Sequence, residues 1–177
     1  GNCLIDEWVR KNSKNKFDKD GMLAKIGTCN EIILEQAQEL FLNRQDKEAV
    51  SLDTKDFDVS FARGLSLEDG VATLTEFTSN IIADALNTLF AKSNINSWKI
   101  LLCGGGRKNK SLINLIKNKI DKKNTLDLID NFKINGDYVE SQAFAYIAIR
   151  SYLKLPISFP KTTGCKKPCS GGLVIKN

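Results

Sequence analysis

The stretch WKILLCGGG, residues 98–106, decides the fold class of this chain. Trp98 to Cys103 form a short, nearly continuous apolar run, and three glycines end it. A run of this kind is typical of a buried strand in a parallel sheet. We therefore expect a parallel strand here, followed directly by a glycine-rich loop.

A long helix is predicted before this strand. Ser66 suits the N-cap, and Glu68 and Asp69 place negative charge in the first turn. Apolar residues then recur at helical spacing from Val71 to Leu89, which predicts one continuous buried face that ends before residues 94–97.

Further elements are predicted after the strand: a helix over 111–120, a second strand over 125–132 and a helix over 137–153, which Pro156 ends. The order helix, strand, helix, strand, helix indicates an α/β fold with a parallel sheet. Since two strands make a poor sheet, we expect the remaining strands to lie before Gly1.

The N-terminal part of the chain predicts helices. Residues 2–11 have helical apolar spacing with Asn2 as N-cap, and residues 22–42 form a second helical stretch. We expect one incomplete, helix-rich domain, with N-terminal helices and an insertion in 1–65 and an α/β lobe in 66–177.

Composition excludes several classes of protein. The chain has 177 residues, of which 42% are hydrophobic and 27% charged, as in one soluble globular domain. It has no apolar run long enough to span a membrane. We expect no signal peptide, because the first ten residues contain acids and a tryptophan where an apolar segment would lie. The net charge of +5 comes mostly from lysine, and the lysine clusters lack interleaved aromatic residues. We therefore favour a solvated surface over a nucleic-acid-binding module.

The chain contains no histidine and five cysteines. The lack of histidine excludes imidazole base catalysis and histidine-ligated zinc. Cys165 and Cys169 are four residues apart, but no second close pair exists, so we predict no metal site. We expect reduced thiols in a cytoplasmic protein.

The glycine loop is the first candidate site. Gly104, Gly105 and Gly106 allow a ligand to approach the backbone, and the following helix start can face an anion or a nucleotide, with Asn109 close by. The loop fits neither the P-loop nor the dinucleotide fingerprint. A tight turn without a ligand remains the alternative.

Two weaker candidates lie at other predicted helix starts. Asp137 and Glu140 have the spacing of a capping box, which spacing alone favours over a ligand role for Glu140. Gly1 and Asn2 could present backbone N–H groups to a phosphate, with Asp6 complementing the helix dipole.

Six motifs occur in a fixed order along the chain: GNCLIDEW, FDKDG, LSLEDGVATLTEFTSNIIADAL, LLCGGGRKN, GDYVESQAFAYIAIRSYLKLP and TTG. In this combination the chain resembles the C-terminal half of anhydro-N-acetylmuramic acid kinase. That family belongs to the actin/hexokinase/Hsp70-like ATPase superfamily, so the resemblance implies a partial RNase H-like lobe. It also implies a cytoplasmic, homodimeric enzyme of peptidoglycan recycling. With ATP and Mg²⁺, such an enzyme converts 1,6-anhydro-N-acetylmuramic acid into N-acetylmuramic acid 6-phosphate.

The resemblance also implies roles for residues. Gly104–Gly106 and Asn109 would belong to the ATP site, and Glu140 would bind the sugar. Gly1 and Asn2 would end the family's phosphate-side motif Asp-Thr-Gly-Pro-Gly-Asn. The Asp of that motif is the expected general base, and it would precede Gly1.

Two expectations about activity follow from this comparison. Without that Asp and the phosphate loop of the N-terminal half, we expect these 177 residues to be inactive alone and to need that half as a partner. The alternative is a truncated or decayed remnant, because Val50 stands where the family usually has a lysine.

Overall fold

The computed structural model describes residues 1–43, 57–173 and 175. The chain forms two compact units, Gly1–Leu128 and Ile129–Asn177. The boundary expected after residue 65 falls inside the first unit, and the division into 1–65 and 66–177 stays a prediction. Val50 lies outside the described residues.

The first unit contains five helices and two strands among its described residues. The helices are α1 (Cys3–Asn12), α2 (Met22–Ile26), α3 (Glu31–Leu42), α4 (Leu67–Ala91) and α5 (Lys110–Lys119), and the strands are β1 (Lys99–Leu102) and β2 (Thr125–Leu128).

The two strands pair in parallel, in a register that joins Lys99 to Thr125 and Leu102 to Leu128. The predicted helix-rich α/β class and the parallel pairing are therefore confirmed. The assignment to the RNase H-like fold stays a prediction.

The long helix α4 is the centre of the first unit, since α1, α2, α3 and α5 all pack against it. Its predicted N-cap is confirmed, because the Ser66 hydroxyl accepts a hydrogen bond from the backbone N–H of Asp69 (3.1 Å). One core cluster lies between α4 and the N-terminal helices and another between α4 and α5. The largest buried apolar side chains include Ile5, Val9, Val71, Leu74 and Leu112.

The helical stretch predicted over 22–42 is confirmed as two helices, because a break separates α2 from α3. The connecting segment instead bonds to α4: Thr28 N–H donates to the Asp69 carboxylate (2.8 Å), and Asn30 N–H donates to the Thr73 hydroxyl (3.0 Å). The Asn30 side chain then caps α3 by accepting from the N–H of Ile33 (3.1 Å).

The predicted burial of β1 is also wrong. Its side chains alternate between exposed and half-buried, and Leu101 is 42% exposed. Ile100 and Leu126 pack on the cluster between α4 and α5, which covers one face of the strand pair. The strand predicted over 125–132 ends at Leu128, where a 3₁₀ turn begins.

The second unit contains α6 (Val139–Tyr152), α7 (Pro160–Thr163) and an isolated antiparallel bridge between Ser158 and Cys169. The helix predicted over 137–153 is confirmed with slightly shorter bounds. No residue of α6 is buried, and Phe144 and Ile149 are among its exposed apolar side chains. Within the ranges that the structure describes, no helix is long and apolar enough to cross a bilayer.

Candidate functional site

A cavity of about 510 Å³ opens in the first unit where three segments meet. These segments are the start of α1, the loop that precedes α2 and the glycine loop that precedes α5. Its lining residues are Gly1, Asn2, Cys3, Asp6, Phe17, Asp18, Asp20, Gly105, Gly106, Lys108 and Asn109.

The glycine loop has the room that the sequence predicts. Gly104 adopts φ 76° and ψ 176°, a conformation that favours glycine. The Arg107 guanidinium fixes this loop by donating to the Gly104 carbonyl (2.9 Å). A Cβ atom built on Gly104 or Gly105 would meet nothing within 4 Å, whereas one on Gly106 would lie 3.8 Å from Asn2 Oδ1. The loop thus faces the start of α1 and leaves space for a ligand.

Asn109 joins the glycine loop to α5. It is the N-cap of α5, and its Oδ1 accepts a hydrogen bond from the N–H of Leu112 (3.0 Å). The side chain is almost fully buried, with 1% of the residue exposed, yet its Nδ2 has no hydrogen-bond partner. A buried amide donor without a partner is costly, so a ligand that offers an acceptor there would be stabilised.

The loop before α2 forms another wall of the cavity. Asp18 is buried and its two carboxylate oxygens accept from the N–H groups of Leu23 (2.8 Å) and Ala24 (3.1 Å), which fixes the start of α2. The Ser111 hydroxyl donates to the Gly21 carbonyl (2.7 Å) and so holds this loop against the start of α5.

Sequence reasoning missed this wall, because FDKDG was named only as one motif of the resemblance and none of its residues was predicted to lie in a site. Its residues Phe17, Asp18 and Asp20 line the cavity. The available signal was the pair of aspartates beside a glycine, a pattern that favours a fixed turn.

The start of α1 contributes two unsatisfied oxygen atoms. Asn2 is the N-cap, as predicted, but its side chain makes no capping hydrogen bond. Both Asn2 Oδ1 and Asp6 Oδ1 are buried without a hydrogen-bond partner. Burial raises the pKa of Asp6, the positive charges of Arg10 and the amino group of Gly1 oppose this rise, and the negative charge of Asp18 adds to it.

The structure brings together most of the predicted site residues. Gly1, Asn2, Gly105, Gly106 and Asn109 line one cavity, and Gly104 directly precedes this group without lining it. The roles of these residues in binding ATP or phosphate stay predictions.

Glu140 belongs to the second unit, where it is exposed in the first turn of α6. The predicted capping box is wrong, because the N-cap of α6 is Tyr138 rather than Asp137 and makes no side-chain capping bond. The helix starts after a turn in which Tyr138 N–H donates to the Asn135 carbonyl (3.1 Å). The sugar-binding role of Glu140 stays a prediction.

The cavity offers a mixed set of polar groups. Its wall combines the acidic residues Asp6, Asp18 and Asp20, the amide residues Asn2 and Asn109, and the cationic residue Lys108. Such a set suits a ligand that carries both anionic oxygens and hydrogen-bond donors. Among the residues with described positions, no group of three or more acidic or cysteine side chains is arranged to hold a metal ion by itself.

Comparison with known proteins gives consistent matches over the chain. The sequence model of the family described as anhydro-N-acetylmuramic acid kinase matches residues 1–177. The chain is 47% identical over 177 residues to the anhydro-N-acetylmuramic acid kinase of Pelagibacter ubique (strain HTCC1062). The aligned region covers 100% of this chain and 47% of that protein.

Two further relatives carry the same name. The chain is 35% identical to the protein of Zymomonas mobilis, over 98% of this chain and 46% of the relative. It is 38% identical to that of Rhizorhabdus wittichii, over 97% of this chain and 45% of the relative. The chain thus spans about half the length of the curated relatives that it matches, and its placement in their C-terminal half stays a prediction.

Proposed function

Because the chain belongs to the anhydro-N-acetylmuramic acid kinase family, we propose that it supplies the nucleotide-binding side of a sugar kinase. The proposed reaction is the ATP-dependent conversion of 1,6-anhydro-N-acetylmuramic acid into N-acetylmuramic acid 6-phosphate. The single observation that carries the proposal is the cavity where the glycine loop, the start of α1 and Asn109 meet.

In this proposal the phosphates of ATP enter the cavity beside the glycine loop. Gly105 and Gly106 leave the backbone accessible, and the buried Nδ2 of Asn109 gains an acceptor when a phosphate oxygen lies next to it. Lys108, on the same wall, would reduce the negative charge of the phosphates. Phosphoryl transfer depends mainly on such positioning and charge stabilisation.

Mg²⁺ would neutralise the charge that develops on the transferred phosphoryl group. The oxygen atoms of Asn2 and Asp6 fit this ion, because Mg²⁺ prefers oxygen ligands and is usually held by one or two protein groups together with phosphates and water.

We propose further that the chain corresponds to the C-terminal half of the family's enzyme. The order of the motifs from GNCLIDEW to TTG supports this placement. The N-terminal half would then supply the general base, an Asp that activates the attacking water, and most of the sugar pocket. Glu140 would add an acid to the sugar side, and the complete enzyme would act as a homodimer in the cytoplasm.

The reaction has a balanced course. The oxygen of water bonds to C1 of the sugar while the base takes a proton from that water, and the C1–O6 bond of the anhydro ring breaks. O6 bonds to the γ-phosphorus of ATP, and ADP leaves. The residues of this chain hold the phosphates so that O6 and the γ-phosphorus meet in line.

The test is a product analysis with the complete gene product in ¹⁸O-labelled water. Incubation with the anhydro sugar, ATP and Mg²⁺ is expected to give N-acetylmuramic acid 6-phosphate with one ¹⁸O atom at C1, detected by mass spectrometry. A Glu7→Gln variant, changed on the outer face of α1 where Glu7 pairs with Lys11, serves as the matched control and should retain activity. Absence of any phosphorylated sugar, or a phosphorylated sugar with an intact anhydro ring, would contradict the proposal.

The second candidate is a truncated remnant without catalytic activity. The observation that favours it is Val50, which stands in place of the family's usual lysine. Val50→Lys in the complete gene product distinguishes the two candidates. If the unchanged protein is inactive and the lysine variant is active, the remnant interpretation is supported, whereas activity of the unchanged protein excludes it.

A further inference from the structure

The antiparallel bridge of the second unit brings the side chain of Cys169 next to that of Ser158. Cys169 N–H donates to the Ser158 carbonyl (3.1 Å), and Ser158 N–H donates to the Cys169 carbonyl (3.2 Å). Two residues that exchange both hydrogen bonds in an antiparallel pair carry their side chains on the same face, with Cβ atoms about 5 Å apart. The Cys169 thiol and the Ser158 hydroxyl therefore lie on one face of the bridge.

Cys165 reaches the same face from the turn that the bridge closes. The Ser158 hydroxyl donates to Cys165 Sγ (3.7 Å), and the hydroxyls of Ser158 and Thr163 also contact each other. Cys165 hydrogen-bonds in addition to the thiol of Cys169. Since Cys165 is half-buried and Cys169 is exposed, two thiols in contact with each other are open to a reagent from solvent.

The surroundings of Cys165 favour its thiolate. Hydrogen bonds, above all the one from Thr163, lower the pKa of this thiol against the opposing effect of burial. The thiolate is the species that attacks a disulfide. Lys166 and Lys167, which are exposed between the two cysteines, add positive charge that attracts an anionic reagent.

We propose that Cys165 and Cys169 form a reversible modification site, at which a small anionic disulfide such as oxidised glutathione converts the two thiols into an intramolecular disulfide. A disulfide requires the two cysteines to lie close together, and these thiols are already in contact, so the bond forms with little movement of the backbone. None of the kinase steps above uses these thiols, and the inference is therefore independent of the proposed function.

The exchange balances in two steps. The Cys165 thiolate attacks one sulfur of the reagent, the sulfur–sulfur bond of the reagent breaks, and one glutathione thiolate leaves and takes up the proton that Cys165 released. Cys169 then loses its proton and attacks the Cys165 sulfur of the mixed disulfide, and the second glutathione leaves as a thiol. Two protein thiols are oxidised by two electrons in total, and one reagent disulfide is reduced to two thiols. Excess reduced glutathione reverses both steps.

The test is a titration of the complete gene product in glutathione buffers of known ratio, without oxygen. After acid quenching and alkylation of the remaining thiols, mass spectrometry of the peptide that contains residues 165–169 is expected to show the loss of two hydrogen atoms and no glutathione adduct. Reduced glutathione should restore both thiols. The equilibrium constant for the disulfide should be at least about 10-fold higher in the folded protein than in urea, because the bridge holds the thiols together in advance.

Three variants separate the roles of the cysteines. Cys169→Ser should trap the mixed disulfide at Cys165, whereas Cys165→Ser should prevent the intramolecular disulfide and slow the first reaction with glutathione. Cys103→Ser is the matched control, because it removes an exposed thiol of the first unit. It should leave the titration of Cys165 and Cys169 unchanged.

Two results would overturn the proposal. Glutathione adducts on one or both cysteines without an intramolecular disulfide, at every buffer ratio, would show that the two thiols do not meet. An equilibrium constant that is the same in the folded and the urea-unfolded protein would show that the disulfide reflects only the short spacing in sequence and not the folded turn.

Discussion

At the scale of single residues, Asn109 combines a structural and a proposed functional task. Its Oδ1 caps α5, and its Nδ2 is buried without a hydrogen-bond partner. A substitution can test the roles of Oδ1 and Nδ2 separately, because aspartate keeps an oxygen that caps the helix and lacks the N–H donor. Capping α5 uses only Oδ1 of Asn109 and does not require Nδ2.

We expect Asn109→Asp to keep the melting temperature near that of the unchanged protein and to weaken ATP binding at least about 10-fold, since a hydrogen bond to a charged group is lost. Asn109→Ala should also weaken binding and, in addition, lower the free energy of unfolding by about 1 kcal/mol through loss of the cap. Calorimetric titration measures the affinity for ATP, and thermal unfolding measures the stability of each variant. Unchanged ATP affinity in Asn109→Asp would contradict the assignment of Nδ2.

A Gly→Ala substitution usually stabilises a helix, but at Gly70 we expect it to destabilise the protein. A Cβ atom on Gly70 would lie 2.3 Å from Nε1 of Trp8, a buried ring whose Nε1 donates to the Leu67 carbonyl (3.1 Å). We expect Gly70→Ala to destabilise the protein by about 1–3 kcal/mol through overpacking, although Gly→Ala inside a helix ordinarily gains about 1 kcal/mol.

Urea unfolding of the complete gene product measures this change. Asp84→Ala, at an exposed position of the same helix α4, is the control and should alter stability by less than about 0.5 kcal/mol. A stabilised Gly70→Ala variant would show that α1 does not pack on α4 as described.

At the scale of elements, α4 and α5 are joined by Lys119. Its ammonium group donates to the Glu76 carboxylate (2.5 Å) and the Ser79 hydroxyl (2.9 Å), and it also contacts Asn80 Oδ1. The side chains of Lys119 and Glu76 are each 25% exposed, so solvent screens this group less than it screens a surface pair.

We expect Lys119→Met to lower the free energy of unfolding by about 1–2 kcal/mol, because three acceptors on α4 lose their shared donor. Lys123→Met removes an exposed pair with Asp121 and should cost less than about 0.5 kcal/mol. Equal effects of the two substitutions, measured by urea unfolding, would contradict the proposed contribution of Lys119.

The turn after α7 holds a thiol with altered acidity. Hydrogen bonds from Thr163 first and then from Ser158 and Cys169 lower the pKa of Cys165, and burial opposes this effect. The thiolate, which is the nucleophile, should therefore persist to lower pH than in an ordinary thiol.

We expect the alkylation rate of Cys165 by iodoacetamide to have its pH midpoint below the usual thiol range and to shift to higher pH in Thr163→Val. Peptide mapping by mass spectrometry measures the rate at this cysteine. A midpoint that Thr163→Val leaves unchanged would show that the hydroxyl does not stabilise the thiolate.

The helices and strands also show which structural features local sequence patterns can predict. Ser66, the apolar face of α4 and the run before Gly104 predict the positions of α4 and β1, because caps and periodicity are local properties, although the burial of β1 was predicted wrongly. The break between α2 and α3 has local signals that the sequence interpretation did not use, because Gly27 follows α2 and Asn30 caps α3. The contact of Thr28 with Asp69, 41 residues away, fixes the connecting segment and could not be predicted locally.

The candidate site shows the same limit. The glycine loop and the start of α1 could be predicted from local residue types and from the resemblance. The wall formed by Phe17, Asp18 and Asp20 could not, because the contact of Ser111 with Gly21 that holds it joins residues 90 apart in sequence. The unpaired state of Asp6 Oδ1 likewise follows only from its three-dimensional surroundings.

At the scale of the whole molecule, the chain has two compact units, and its family's kinases are about twice as long. The first unit contains the cavity with the predicted phosphate-side and nucleotide residues, and the second contains Glu140. The central claim is that ATP binds in the cavity of the first unit.

Hydrogen–deuterium exchange of the complete gene product, with and without a Mg²⁺-bound ATP analogue, tests this claim most directly. We predict that the analogue slows amide exchange at the start of α1 and over residues 104–110, with no comparable change in α3. Protection confined to other segments, or no protection in these two at saturating analogue, would contradict it.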